Sequence, residues 1–399
     1  MPIEQALDVL LAQVQPVSDI ESVPLTQALG KVIAEDVLSC VDVPPADNSA
    51  MDGYCTRLAD FEQCTDNKMP ISQRIPAGVV PEPLEEGTAA RIFTGAEIPP
   101  GADVVIMQEN CTEAAGFVSL PEALKQGDNI RARGQDIIKG SAVVSKGRRL
   151  RPQEMGLLAS IGVGKVNVYK TLKVALLSTG DELIEPGEPE LPGTIYNSNR
   201  YTLIGLLQAL GLEIIDLGVV ADTLEATEAA LLQAAKADCI ISSGGVSVGE
   251  EDHVKVAIEK LGTLNLWKLA IKPGKPFAFG DVQGTPFLAL PGNPVAAFAT
   301  FLLLCRPYLL TKQGVVDISQ PTFKLPANFE RLKAGARQEY LRAKAELVNG
   351  AMQVSVYPNQ SSGVLSSTCW GNGLVVMGIG ETVKPGDQVT FIPFNNLLY

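Results

Sequence analysis

Between residues 172 and 312 the hydrophobic pattern switches repeatedly between short apolar runs and longer stretches with a helical period. The apolar runs predict strands at 172–177, 213–219, 239–242 and 287–290. The periodic stretches predict amphipathic helices at 199–210, 223–237, 251–261 and 294–305. Strands that alternate with helices form a parallel sheet that is covered on both faces. The pattern therefore predicts a doubly wound α/β domain over residues 172–315.

The flanking segments follow other patterns. Residues 2–15 have apolar positions at helical spacing, and a second helix is predicted at 152–161, followed by a strand. The region between them is rich in proline and glycine, with short β-like runs at 91–94 and 102–108. Beyond residue 320, strand-like runs return at 339–347, 352–356, 374–377 and 388–392, separated by turns.

These patterns predict a multidomain protein of α/β and β type. We expect residues 1–44 and 146–171 to form one elongated, discontinuous domain, and residues 45–145 to form a mostly β domain inserted into it. The α/β domain of residues 172–315 follows. Residues 320–399 are expected to form a small C-terminal β-barrel.

The composition narrows the class of protein. A chain of 399 residues with a net charge of -13 has no excess of basic residues for binding nucleic acid or a membrane surface. Glu4 and Asp8 stand where a signal peptide carries positive charge, and the apolar stretch 295–305 is too short to cross a bilayer, so we expect a cytoplasmic protein. The seven cysteines include no C-x-x-C pair, and the chain has one histidine, His253. We therefore expect reduced thiols, and neither a zinc site nor a Ser-His-Asp triad.

Three strands of the predicted sheet end in loops that are rich in glycine and polar side chains, at residues 178–182, 242–250 and 290–294. Ligands of open parallel sheets bind at this edge, where backbone N–H groups and helix N-termini favour an anion such as phosphate or molybdate. The loops match neither the P-loop nor the dinucleotide-binding pattern. The predicted anion-binding residues in these loops are Ser243, Gly244, Gly245, Ser247 and Pro291.

Charged residues follow the same loops. Carboxylates beside a phosphate site suit Mg²⁺, and the candidate ligands are Asp181, Glu182, Asp222, Glu250 and Asp252. Lys268, Lys272 and Lys275 fall within eight residues and indicate a local anion clamp in an acidic protein. The alternative interpretations are helix capping for the acids and a solvated strand end for the lysines.

Several motifs resemble those of a known family. Residues 47–54 (DNSAMDGY), 91–96 (RIFTGA) and 129–136 (NIRARGQD), together with the three loops and residues 268–280, are similar to the molybdopterin molybdenumtransferase family, to which the C-terminal part of gephyrin is related. The resemblance implies a homodimer whose active site lies between the α/β domain of one subunit and the second domain of its partner. It also implies Mg²⁺, molybdate and adenylylated molybdopterin as ligands.

The resemblance also assigns roles to residues. It implies that Asp52, Thr94, Asp136, Glu182 and Asp252 are catalytic, and that Arg131, Lys268, Lys272 and Ser362 bind substrate, with Asp222 at the metal. Gln135 stands where the family commonly has Glu. The implied reaction inserts molybdate into adenylylated molybdopterin and releases AMP, giving molybdenum cofactor.

Two alternatives remain at this point. A molybdopterin adenylyltransferase resembles residues 172–312, but it lacks the flanking domains; such an enzyme is also a candidate partner. A non-catalytic scaffold of the gephyrin type instead binds a partner peptide on its C-terminal and dimer surfaces. The length of the chain and the motif at residues 47–54 favour the molybdenumtransferase.

Overall fold

The computed structural model describes residues 1–244 and 253–398. This part of the chain contains three six-stranded sheets, joined by two-stranded ladders. One sheet belongs to a central α/β domain, one to the region between residues 45 and 145, and one to the C-terminal region. The architecture is the multidomain α/β and β fold that the sequence predicts.

The central sheet has four parallel strands and two antiparallel strands at one edge. The sequence pattern predicted the parallel strands but missed the antiparallel pair, because that pair lies in a loop-like segment rich in lysine and proline. In spatial order the strands are Glu213–Val220, Lys173–Thr179, Cys239–Ser243, Thr285–Leu290, Pro276–Val282 and Gly262–Lys268.

Helices cover both faces of this sheet. Successive side chains of a strand point to opposite faces. Val174 and Leu176 accordingly join one hydrophobic core, and Ala175 and Leu177 join the other. The first core contains helices Ser198–Ala209 and Pro294–Thr300, and the second contains helices Leu224–Ala234 and His253–Leu261.

The last helix of the domain is longer than predicted. It continues from Pro294–Thr300 through a π-helical turn, Phe301–Cys305, into Arg306–Lys312. The 19 residues are long and apolar enough to cross a membrane, but 83% of the most apolar window is buried inside the protein. This is therefore a core helix of a soluble protein.

The N-terminal part of the chain divides between two cores. Helix Ile3–Leu11 packs its buried face against the long core helix of the α/β domain. Strand Ile20–Pro24 instead pairs antiparallel with Lys165–Tyr169, about 140 residues later in the chain. A separate core lies beneath this pair. Its other elements are the short strand Val37–Leu38, the 3-10 turn Leu25–Gln27, the strand Ala142–Val144 and the helix Pro152–Ser160.

The second domain is a mixed six-stranded sheet with one short helix, Leu58–Glu62. A two-stranded ladder, Asn48–Ser49 with Ile130–Arg131, lies beside the sheet, and a 3-10 turn spans Gln108–Asn110. In spatial order the sheet strands are Val104–Met107, Gly53–Thr56, Ala89–Ile92, Lys68–Ile75, Phe117–Ser119 and Thr112–Ala114.

The C-terminal domain is a small β-barrel. Its wall closes where Ala327, just after the first strand, bridges Val354 of another strand. Ile271–Lys272 from the α/β domain extends the sheet by pairing with Gln338 and Glu339, which fixes the two domains side by side. The barrel strands are Phe323–Pro326, Gln338–Val348, Ala351–Val356, Gly373–Met377 and Gln388–Pro393, and the short helices are Ser366–Trp370 and Asn395–Leu398.

Candidate active site

A cleft of about 1400 Å³ opens at the carboxyl ends of the parallel strands, between the α/β domain and the C-terminal domain. This is the edge at which ligands of open α/β sheets bind. Of the predicted anion-binding residues, Ser243, Gly244, Lys272, Lys275, Pro291 and Ser362 line the cleft. Of the predicted metal ligands, Glu182 and Asp222 line it.

Two glycines bring the backbone close to the floor of the cleft. Gly244 has φ of +95°, and a Cβ atom there would lie 2.8 Å from the carbonyl oxygen of Thr179. Gly180 has φ of +143°, and a Cβ atom there would lie 2.6 Å from the Glu182 carboxylate. At Gly244 only glycine fits both the conformation and the space, because the obstacle is a backbone atom. At Gly180 the positive φ favours glycine, whereas the flexible Glu182 side chain could move. The first two strand-end loops therefore pack against each other directly.

Asn199, in the first turns of helix Ser198–Ala209, joins the other loops. Its side-chain amide Nδ2 donates to Ser243 Oγ at 2.9 Å and to the carbonyl oxygen of Gly292 at 2.7 Å. The residue is 9% exposed. One buried side chain thus holds the second and third strand-end loops at a fixed separation. Asn197, two residues earlier, caps the helix, because its side-chain oxygen Oδ1 accepts a hydrogen bond from Arg200 N.

The basic side chains of the cleft come from both domains. Lys272 Nζ lies 3.4 Å from Glu339 Oε1, and Arg331 Nη2 holds the other oxygen of Glu339 at 2.6 Å. Arg337 donates to the carbonyl oxygen of Ile271 at 3.0 Å and also lines the cleft. The side chain of Lys275 is exposed and has no hydrogen-bond or ion-pair partner among residues 1–244 and 253–398. Three cations therefore face the cleft, and one of them is held by a carboxylate.

The carboxylates of Glu182 and Asp222 face the same space. Both side chains are exposed, and neither has a hydrogen-bond or ion-pair partner within the described part of the chain. Within that part no three acidic, cysteine or histidine side chains lie close enough together to hold a metal on their own. Mg²⁺ in phosphate sites usually takes one or two carboxylates and completes its shell with water and phosphate. Glu182 and Asp222 fit that requirement.

A loop of the C-terminal domain forms the opposite wall. Arg342, which is 1% exposed, donates from Nε to Ser367 Oγ at 2.9 Å and from Nη2 to the carbonyl oxygen of Ser361 at 3.0 Å. The carbonyl oxygen of Ser362 accepts from Val295 N, at the start of the long core helix. Burial lowers the pKa of Arg342 to about 10, which leaves the side chain charged at neutral pH. The loop that carries Ser362 is thus bonded to both domains, at Ser361 and at Ser362.

The second domain carries a preformed pair that lies outside this cleft. Asp52 Oδ1 accepts from both the backbone N and the side-chain Oγ1 of Thr94, each at 2.7 Å. These bonds, chiefly that from the backbone N–H, lower the pKa of Asp52. Arg131 and Asp136 are exposed on the same domain. None of the four lines the cleft of the same chain.

The remaining predicted residues lie elsewhere. Lys268 is exposed at the end of the edge strand Gly262–Lys268, and Asp181 is exposed beside Glu182; neither lines the cleft. His253, which was given no role, begins helix His253–Leu261. Four predicted site residues, namely Gly245, Ser247, Glu250 and Asp252, fall outside the described residues.

The structure adds residues that the sequence did not single out. Asn199, Arg337 and Arg342 have no motif around them, because each acts through a contact with a residue far away in the chain. The run Asn197-Ser198-Asn199 was the one available signal, since asparagine and serine favour helix starts. Sequence spacing alone could not indicate the other two.

Comparisons with known proteins agree with this architecture over the whole chain. Three family profiles match in order: the MoeA N-terminal region (domains I and II) at residues 1–162, a probable molybdopterin-binding domain at 175–311, and the MoeA C-terminal region (domain IV) at 324–394. The molybdopterin molybdenumtransferase of Haemophilus influenzae is 40% identical over 407 residues, with 100% of both chains covered. That of a Nostoc species is 35% identical, covering 95% of this chain and 90% of its own. The crystal structure of a molybdopterin biosynthesis MoeA protein from Pyrococcus horikoshii superposes with a TM-score of 0.80 at 32% identity, over 99% of both chains.

The fold and the cleft thus define a multidomain enzyme of molybdenum cofactor biosynthesis. The chain belongs to the molybdopterin molybdenumtransferase family, also called the MoeA family, and is a transferase.

Proposed function

We propose that this chain inserts molybdate into an adenylylated molybdopterin and releases AMP. The observation that carries the proposal is the cleft: strand-end glycines, helix N-termini and three cations surround a space that also contains the carboxylates of Glu182 and Asp222. Backbone N–H groups and lysines suit phosphate and molybdate, whereas the carboxylates suit a divalent cation. A volume of about 1400 Å³ accommodates a ligand of nucleotide size together with a second anion.

Within this cleft the basic side chains would bind the anionic groups of the substrates, and the acidic side chains would bind the metal ion. Lys272, Lys275 and Arg337 bind the anionic oxygens of molybdate and of the pterin phosphate. Glu182 and Asp222 would hold Mg²⁺ on the side of the phosphoanhydride, and the ion, when bound, lowers the negative charge of the bridging phosphates. A water molecule hydrolyses the bond between the two phosphates, so that AMP leaves and the pterin keeps its own phosphate. The two dithiolene sulfurs bind molybdenum in place of one molybdate oxygen, which leaves as water with the two thiol protons.

We also propose that the site is completed by a second subunit. Asp52 and Thr94 form a preorganised pair, but neither lines the cleft of its own chain. Asp136 lies two residues from Ile138, which is 66% exposed, and Leu38 and Val41 are also exposed apolar residues of the paired segments. Exposed apolar surface next to polar site residues is typical of an interface. A homodimer that buries this surface would bring the Asp52 pair to the partner's cleft.

The reaction is tested by following AMP. Incubated with adenylylated molybdopterin, molybdate and Mg²⁺, the protein should release AMP and yield a pterin that activates a molybdenum apoenzyme. Omitting molybdate, or chelating Mg²⁺, should slow AMP release, because the anhydride is broken productively only when both are bound. Equal AMP release with and without molybdate would contradict the proposal. Formation of the adenylylated pterin from ATP would assign the adenylyltransferase reaction instead.

A further inference from the structure

The second-domain pair Asp52–Thr94 lies beside Arg91, which bonds to the backbone of Gly53 and to the side chain of Gln108. Arg91 lies in strand Ala89–Ile92, directly opposite Tyr54 of the neighbouring strand. Its guanidinium lies over the Tyr54 ring, with Cζ 5.0 Å from the centroid, and over the Phe93 ring, with Cζ 4.8 Å from the centroid. Opposite positions of paired strands and positions two apart share one face, so this stacking follows from the register.

The hydrogen bonds of Arg91 reach the residues next to Asp52. Nη1 donates to the carbonyl oxygen of Gly53 at 3.1 Å, and Nη2 donates to Gln108 Oε1 at 2.5 Å. The backbone N of Gln108 in turn donates to the carbonyl oxygen of Asp52 at 3.0 Å. One guanidinium therefore contacts the backbone beside Asp52 directly, at Gly53, and indirectly, through Gln108.

The other half of the pair, Thr94, adjoins the aromatic ring on which Arg91 stacks. Thr94 directly follows Phe93, whose ring the guanidinium covers. The turn after it is tied to the neighbouring ladder, because Gly95 N donates to the carbonyl oxygen of Ser49 at 2.8 Å. Arg91 forms no salt bridge within the described residues, so its charge is not cancelled by an adjacent carboxylate. Its field contributes to the lowered pKa of Asp52.

From these contacts we infer that Arg91 is a positioning residue for the reaction, which holds Asp52 and Thr94 in the geometry that meets the substrate. The inference rests on the proposed function in one respect, namely that this pair belongs to the site. Arg91 itself contacts no substrate. This role requires the planar guanidinium group of arginine, because the group stacks on two rings and donates hydrogen bonds in two directions at once. A lysine side chain cannot do both.

Other titratable groups lie near the Asp52–Thr94 pair, and their effects on a pH profile must be distinguished from that of Asp52. Burial raises the pKa of Tyr54 to about 12 and that of Cys111 to about 11, so both stay neutral through the neutral range. Glu113 accepts a short hydrogen bond from the Tyr54 hydroxyl. Glu113→Gln separates the effect of the Glu113 carboxyl group from that of Asp52.

The test compares Arg91→Met and Arg91→Lys with Arg74→Met. Arg74 lies over the Phe93 ring at the same distance of 4.8 Å, whereas the bonds to Gly53 and Gln108 belong to Arg91, so Arg74 is a matched control. We expect Arg91→Met to lower molybdate-dependent kcat about 10- to 100-fold, the range for residues that orient functional groups, and to move the acid limb of its pH profile upward. Arg91→Lys should lower kcat but leave the acid limb near its wild-type position, because the charge remains. Arg74→Met and Glu113→Gln should move neither.

Two further measurements decide the outcome. In an Asp52→Asn background, Arg91→Met should reduce kcat by less than about twofold more, because it acts through Asp52. The inference would be overturned if Arg91→Met lowered kcat as much in the Asp52→Asn background as in the wild-type protein. It would also be overturned if Arg74→Met lowered kcat as much as Arg91→Met does. The Thr94 amide resonance, observed with ¹⁵N-threonine and assigned with Thr94→Ser, should titrate with Asp52 and shift its midpoint upward in Arg91→Met. An unchanged titration midpoint of the Thr94 amide in Arg91→Met would also overturn the inference. If that midpoint shifts but the wild-type protein releases no AMP, the proposed reaction is wrong and the positioning role of Arg91 is retained.

Discussion

Replacing Asn199 by alanine tests whether one buried side chain holds the strand-end loops together. The substitution removes the bonds from Nδ2 to Ser243 Oγ, 2.9 Å, and to the Gly292 carbonyl oxygen, 2.7 Å. Each bond contributes about 1 kcal/mol net. Ser243 is 3% exposed, so its hydroxyl loses a partner that water cannot readily replace, at about 1–3 kcal/mol, whereas Gly292 is exposed and can be hydrated.

Helix propensity partly offsets this loss. Alanine is better than asparagine inside a helix by about 0.7 kcal/mol or less. We therefore expect Asn199→Ala to destabilise the α/β domain by about 2–3 kcal/mol. The activity should fall as well, because the loops that line the cleft are no longer held at a fixed separation.

The assay must report on one domain, because a 399-residue multidomain chain does not unfold in one step. The chain has two tryptophans, Trp267 in the central sheet and Trp370 in the C-terminal domain. In a Trp370→Phe background, urea unfolding followed by fluorescence reports on Trp267, which packs on Phe277 with centroids 5.7 Å apart. Gln208→Ala, at an exposed position of the same helix, is the control and should change stability by less than about 0.5 kcal/mol. A shift for Asn199→Ala no larger than that of the control would refute the reasoning.

Three further substitutions test the site and its scaffold. Gly244→Ala should lower activity more than about tenfold, because its Cβ would lie 2.8 Å from the Thr179 carbonyl oxygen at φ of +95°; AMP release by the folded variant measures this. Gly53→Ala should give little soluble protein, because its Cβ would lie 1.8 Å from the Ile106 carbonyl oxygen of the adjacent strand; expression yield and the circular dichroism spectrum measure this. Lys272→Ala should weaken molybdate binding, measured by calorimetry, while the melting temperature changes little, since the side chain is 44% exposed.

Two control substitutions show whether any glycine-to-alanine change, or the loss of any exposed lysine, has the same effect. Gly205→Ala, in a helix where a Cβ meets nothing within 4 Å, should be neutral or slightly stabilising. Lys165→Ala removes an exposed lysine from the N-terminal domain and should leave molybdate affinity unchanged. Full activity in Gly244→Ala, normal yield of Gly53→Ala, or wild-type molybdate affinity in Lys272→Ala would each contradict the corresponding contact.

The sequence predicted the α/β domain well because its periodicity is local. Alternating apolar runs and amphipathic stretches reflect burial on the two faces of one sheet, so Val174 and Ala175 can be assigned to opposite cores without a structure. The antiparallel strands Gly262–Lys268 and Pro276–Val282 were missed for different reasons. The first lies at the sheet edge and buries none of its side chains fully, so it has no apolar run. The second directly follows a segment rich in lysine and proline, which is typical of a loop. The helix that ends at Lys312 was predicted too short because a charged residue, Arg306, is buried within it.

The site was predictable only where its residues belong to one motif. The strand-end glycines and the acids beside them lie next to each other in the chain, and their placement at one sheet edge follows from the parallel topology. Asn199, Arg337 and Arg342 enter the site through long-range contacts, which no local pattern encodes. Lys268 and Lys272 look equivalent in sequence, yet a turn separates them, and only Lys272 lines the cleft.

The central claim is that one active site is assembled from the cleft of one subunit and the Asp52–Thr94 pair of another. The most direct test combines Asp52→Ala and Glu182→Ala subunits, each inactive as a homodimer, into a heterodimer purified through two different tags. One of its two sites then carries both lesions, and the other carries neither. The account predicts that molybdate-dependent AMP release recovers to about half of the wild-type rate per dimer, by counting intact sites. A purified heterodimer that remains as inactive as its parents would contradict the account, because both residues would then have to act within one chain.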